Sequence, residues 1–107
     1  MSLEFDVRKF ELPVPPEADI DPNARELCRV WAASGKQHLS IATGLWPDPA
    51  AWGILLVDLA RHIARAYEQT DGLRQDDTLA RIRSGIDAEW SHNTDTDRLG
   101  AVHTQES

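Results

Sequence analysis

The stretch ELCRVWAASGKQHLSIAT, Glu26 to Thr43, decides whether this chain is all-helical or mixed. Cys28, Val30 and Ala32 alternate with Leu27, Arg29 and Trp31, a period of two that fits a strand and not a helix. Ser34-Gly35 separates this run from a second one, and a glycine there supplies the positive φ of a two-residue hairpin turn. With those two residues as the turn, Ala33 faces Lys36. Counting outward then sets Val30 opposite Leu39 and Cys28 opposite Ile41, an apolar face read as core. The other face is mixed, with Trp31 opposite His38 and Arg29 opposite Ser40. On this register Cys28 is an inert buried thiol. A three-residue bulged turn would shift every pairing by one.

Before the hairpin, PVPPEADIDP (13 to 22) holds four prolines and three acids, and this composition favours an extended polyproline-type arm over a regular element. Asp21-Pro22 competes as a helix start worth one turn, since Asp caps and Pro suits the first helical position. Further back, Glu4 to Leu12 alternates weakly through Phe5, Val7 and Phe10 and offers a third, N-terminal edge strand.

After the hairpin, LWPDPAAWGI (Leu45 to Ile54) is helix punctuation. Asp48 stands where an N-cap belongs, Pro49 occupies the first turn, and Trp46 or Pro47 can fold onto Trp52 as a hydrophobic staple. The helix it opens runs to about Gln69 and stops near Gly72, a residue suited to a left-handed cap. Trp52, Leu56, Leu59, Ile63 and Tyr67 form its apolar stripe; Asp58, Arg61, His62, Arg65 and Glu68 mark its polar side. Ile54, Leu55 and Val57 flank the stripe, so the first half is apolar nearly all round and must be covered on more than one side. A second helix from about Asp77 to His92 offers one narrow stripe, Leu79, Ile82, Ile86 and Trp90. From Asn93 to Ser107 the chain is polar, with only Leu99, Ala101 and Val102 to bury, and reads as a mobile tail.

These segments carry a family resemblance. ELPVP (Glu11 to Pro15), RVW (Arg29 to Trp31), HLS (His38 to Ser40) and DPAAWGILLVDLARHIARAY (Asp48 to Tyr67) resemble a family of small bacterial proteins, chiefly alphaproteobacterial, known as domain of unknown function 5076. The similarity spans roughly residues 11 to 90. It implies a small α+β domain in a bacterial cytosol and brings no activity, cofactor or catalytic residue.

Composition narrows the function. A chain of 107 residues with 41% hydrophobic content suits one small domain with a modest core. One cysteine cannot form an internal disulfide, and MSLEFDVRKF carries acids where a secretory signal has an apolar run, so a cytoplasmic location is expected. The longest apolar run, Ala50 to Val57, is too short to span a bilayer, which needs about 20 residues. A net charge of -7 argues against nucleic acid, whose affinity comes from cationic side chains at phosphates. Only residues 27 to 47 are net positive, through Arg29 and Lys36.

Chemical motifs are weak. Asp58 and His62 share a helix face, but Arg61 and Arg65 beside them disfavour a cation, so an Asp58 ion pair on a solvated face is the better reading. Glu89-Trp90-Ser91-His92 has the spacing of a di-iron motif, yet such sites need two of these motifs and two more glutamates on four helices. No nucleophile elbow, P-loop or dinucleotide fingerprint is present, so no catalytic, metal or cofactor residue is assigned and an enzyme is the least supported class.

The sequence therefore predicts an α+β fold, an antiparallel hairpin, with the option of a third N-terminal strand, packed on two helices. Residues 1–22 form the N-terminal segment and arm, 23–92 the single domain and 93–107 the tail. The expected role is a self-associating or partner-binding module, a homodimer meeting through Trp31 or through Ile54, Leu55 and Val57. The alternative is a small-molecule binding protein that uses the hairpin face Arg29, Trp31, His38 and Ser40, where a guanidinium and an indole could hold an anionic or aromatic ligand; the plain reading of that face is ordinary cross-strand packing covered by the N-terminal arm.

Overall fold

A computed structural model describes residues 7–92 and 99–106 of the chain. In chain order a single 3-10 turn (Val7–Phe10) precedes α1 (Pro16–Ile20), β1 (Cys28–Ala33), β2 (Lys36–Thr43), α2 (Ala50–Asp71), α3 (Gln75–Trp90) and β3 (Leu99–Glu106).

The hairpin has the register that its alternation predicts. β1 and β2 run antiparallel with Ala33 opposite Lys36, Trp31 opposite His38, Val30 opposite Leu39, Arg29 opposite Ser40 and Cys28 opposite Ile41. Ser34 (φ 54°) and Gly35 (φ 71°) both lie in the left-handed region, which makes the connection a two-residue turn of the primed type. Its twist matches that of the strands, so no bulge is needed.

Three N-terminal and C-terminal expectations are corrected. No edge strand forms over Val7–Phe10; those residues make the 3-10 turn, and residues 1–6 lie outside the described ones. The arm is not wholly extended either, because Pro16–Ile20 closes one helical turn through Ala18 N–H to Pro15 O (3.0 Å) and Asp21 N–H to Glu17 O (3.2 Å). Pro16 sits at the start of that turn, where a missing donor costs nothing, and Glu17 and Asp19 suit its positive end. Asp21 in turn ends α1 instead of starting a helix: its carboxylate accepts from Asn23 N–H (2.9 Å) and its carbonyl from Ala24 N–H (3.0 Å), closing a tight turn.

The third correction concerns the tail. Leu99–Glu106 is a strand, parallel to β2 and on the side away from β1, so the sheet order is β1-β2-β3. Parallel neighbours need a long crossover, and α2 with α3 supplies it. The register shifts between Gln37 and Leu39, where the ladder takes up one extra residue.

The helices start and stop where their punctuation lies. α2 ends at Asp71, and Gly72 (φ 72°) donates its N–H to Glu68 O (3.1 Å), a left-handed cap that a β-carbon would strain. α2 and α3 pack on each other, and the strands pair side by side; among the described residues no contact of comparable extent joins the sheet to the helices. The hairpin and helices of the predicted α+β fold are present, but the apolar surface between these layers is left largely open.

Burial shows how open. Among the described residues only Ala64 and Thr78 are buried, one on each of the paired helices. Ala64 lies about a quarter turn round α2 from the Trp52–Tyr67 stripe, so α3 closes against a small-residue flank and leaves the stripe beside it half-exposed. Leu56 (58%), Leu59 (50%) and Tyr67 (45%) remain in contact with solvent. The hairpin face read as core fares no better: Val30 is 57% exposed and Cys28 is exposed, so the buried-thiol reading is overturned.

Candidate functional site

Two surfaces were singled out by the sequence, and the fold keeps them separate. On the hairpin, Arg29, Trp31, His38 and Ser40 share one face through the pairings Arg29–Ser40 and Trp31–His38. Trp31 and His38 are half-buried while Arg29 and Ser40 are exposed. His38 Nε2 lies 3.2 Å from the Ala33 carbonyl, which ties the ring to the turn end of β1.

Arg29 is already engaged. Its Nη2 is 3.0 Å from Glu26 Oε1 and its Nη1 3.2 Å from Glu11 Oε2. The Glu26 carboxylate, hydrogen-bonded and close in charge, raises the guanidinium above its ordinary pKa, with Glu11 adding to the effect. Glu11 comes from the segment before α1, so the pair also lays that segment along the mixed face of the hairpin. A guanidinium that holds two carboxylates of its own chain is poorly placed to hold a third from a ligand. Cover by the N-terminal arm is among the sequence readings of this face, but the Glu11–Arg29 pair itself was not legible, because Glu11 is eighteen residues away and no local spacing links it to β1.

On α2, the three flank residues are not equally free. Ile54 (67%) and Val57 (50%) are exposed, whereas Leu55 is half-buried within the chain. Together with Leu56 and Leu59 they make the first half of the helix apolar and uncovered on most of its circumference. On the polar side, Arg61 pairs with Asp58 (3.8 Å), and His62 Nδ1 lies 2.8 Å from the Asp58 carbonyl. These are bonds within one helix, both of them exposed. No helix among the described residues is long and apolar enough to cross a membrane.

A third feature was not legible beforehand. Where the second half of α2 faces the first half of α3, a cleft of about 520 Å³ opens between Ile63 and Tyr67 on one side and Thr78, Arg81 and Ile82 on the other. The sequence reading begins this helix at about Asp77 and follows only its apolar stripe, so Arg74, Thr78 and Arg81 are not joined to Ile63 and Tyr67.

Comparison with known proteins follows this geometry. The family model described as a domain of unknown function (DUF5076) matches residues 11–94. Among solved structures, the chain is similar to one from the photosynthetic bacterium Rhodopseudomonas palustrus CGA009, a protein provisionally called a pyruvate dehydrogenase. The two are 36% identical, the match covers 81% of this chain and 88% of that one, and the TM-score is 0.65. No curated protein matches.

Proposed function

The chain belongs to the DUF5076 family, and from the exposure of its long helix we propose that it is a self-associating module, one protomer of a homodimer in a bacterial cytosol. The observation that carries this reading is the first half of α2, where Ile54 (67%), Leu56 (58%), Val57 (50%) and Leu59 (50%) are all left open. A helix that is apolar all round is stable only when it is covered all round, and neither α3 nor the sheet covers this one.

A second chain is of the right size to be the cover, since an obligate homodimer interface removes roughly 1,000–2,500 Å² from each protomer. A two-fold pairing needs one self-complementary patch, and the α2 flank supports that reading by being apolar and free of charge from Ala50 to Val57.

The alternative, a ligand held by the hairpin face, loses support because Arg29 is occupied by Glu11 and Glu26. The name of the R. palustrus protein supports no enzymatic reading either, since it brings no residue whose chemistry can be checked in this chain. Sedimentation equilibrium at micromolar concentration tests the proposal. The expected mass is twice 12.0 kDa, and a monomer mass defeats it.

A further inference from the structure

We infer that the cleft between α2 and α3 is a binding site for a small organic monocarboxylate with an apolar body. The cleft lies on the second half of α2, apart from the Ile54–Val57 flank of the proposed dimer, and the inference stands independently of that reading. Its volume, about 520 Å³, falls within the roughly 300–1,000 Å³ typical of small-molecule pockets. Ile63, Tyr67, Leu73 and Ile82 make its walls mostly apolar, and Tyr67 and Leu73 are each close to half-exposed in its mouth.

The polar groups are few and of one dominant sign. Arg74, the extended residue that precedes α3, and Arg81, within that helix, both line the cleft, with Thr78 between them in sequence. Arg74 and Arg81 are exposed and, like Arg25 and Arg65 and unlike Arg29, Arg61 and Arg83, carry no ion pair among the described residues, in a chain whose net charge is -7. Asp77 is the one carboxylate in the lining, so the two guanidiniums leave the cleft net positive. The cleft also abuts the first turn of α3, whose unpaired backbone amides add positive potential, offset in part by Asp76 and Asp77. Thr78 adds an independent sign: the residue lines the cleft, is 8% exposed, and its hydroxyl is buried with no hydrogen-bond partner.

Chemistry then selects the ligand. A guanidinium recognises a carboxylate through two parallel hydrogen bonds, and the aliphatic and aromatic walls reward an apolar chain or ring. A strongly hydrated dianion would waste the walls, and a neutral hydrocarbon would waste both arginines.

Octanoate is a suitable probe, with acetate lacking the body and octan-1-ol lacking the charge. Titrated into the full chain and followed by amide resonances, octanoate is expected to shift Tyr67, Thr78 and Ile82 saturably, while acetate at equal concentration leaves them unmoved. The double substitution Arg74→Gln, Arg81→Gln should weaken octanoate at least about tenfold, as loss of a charge-assisted bond predicts, and should not weaken octan-1-ol. Three results would overturn the inference: no saturable shift at millimolar octanoate, equal affinity in the double variant, or shifts that appear only as a dimer dissociates, which would make the cleft an interface between copies. Circular dichroism of the double variant confirms that it is folded, so that weakened binding reports on the arginines.

Discussion

Trp46 and Trp52 meet edge to face across the turn that opens α2, their ring centroids 5.1 Å apart and their planes at 73°. Between them the Asp48 carboxylate accepts from Ala50 N–H at 2.9 Å, and its carbonyl accepts from Ala51 N–H at 3.1 Å. The hydrogen-bonded helix is counted from Ala50, but Pro49 before it already has helical angles (φ -59°, ψ -18°). Asp48, one residue further out, nevertheless supplies the capping bond, since helix ends are defined only to within a residue. Asp48→Ala should therefore lower stability by about 0.5–2 kcal/mol, and Trp46→Ala by about 0.5–1.5 kcal/mol through the lost ring contact. Urea denaturation reads both, and an unchanged midpoint in Asp48→Ala would remove the cap from this account.

Thr78 makes the opposite kind of prediction. Its buried hydroxyl has no partner, and a buried unsatisfied polar atom costs about 1–3 kcal/mol. Valine has the same shape and much the same helix propensity. Thr78→Val should raise the denaturation midpoint by an amount worth about 1 kcal/mol. A lower midpoint would mean that the hydroxyl is satisfied in solution.

The polar tail supplies a third. β3 pairs with β2 from Gln37 to Thr43, so deleting Asp95 to Ser107 removes the partner of every second β2 backbone group on that side. Hydrogen exchange at alternate β2 amides should accelerate, while those facing β1 keep their protection. Uniform protection along β2 in the truncated chain would show that the strand pairing contributes nothing.

What the sequence made legible and what it hid follow from the range of the interactions. The β1–β2 register depends on two neighbouring residues, Ser34 and Gly35, and on a period of two, all within eighteen positions. The start and end of α2 depend on Asp48, Pro49 and Gly72, each acting on its own neighbours. By contrast β3 is held to β2 by backbone groups that every residue possesses, and nothing in a polar composition announces a parallel partner sixty residues away. The same limit applies at the candidate sites. Alternation correctly placed Arg29, Trp31, His38 and Ser40 on one face, but the Glu11 contact that occupies Arg29 is long-range. Apolar periodicity marked Val30 and Cys28 as core without showing that, among the described residues, no element covers them.

That lack of cover leads to the last prediction, the location of the dimer contact. Trp31 and the α2 flank are both candidates, and they differ in what the single chain already does with them. Trp31 is half-buried, with the Glu11–Arg29 pair on the same hairpin face. Ile54 (67%) and Val57 (50%) are exposed where Trp31 is half-buried. A substitution there perturbs the lone protomer little, whereas Leu55→Glu would place a charge on a half-buried position and confuse dissociation with unfolding. Ile54→Glu together with Val57→Glu should raise the dimer dissociation constant at least about a hundredfold, since each charge forced into an apolar interface costs more than about 1.4 kcal/mol, a factor of ten. Trp31→Ala should leave it within about threefold, because less than 1 kcal/mol of contact is then at stake. Should the protomer prove unstable alone, the same ranking appears in the thermal midpoint, which for an obligate dimer rises with protein concentration. A dimer that survives the double glutamate variant but falls apart with Trp31→Ala would move the interface from α2 to the edge of the sheet.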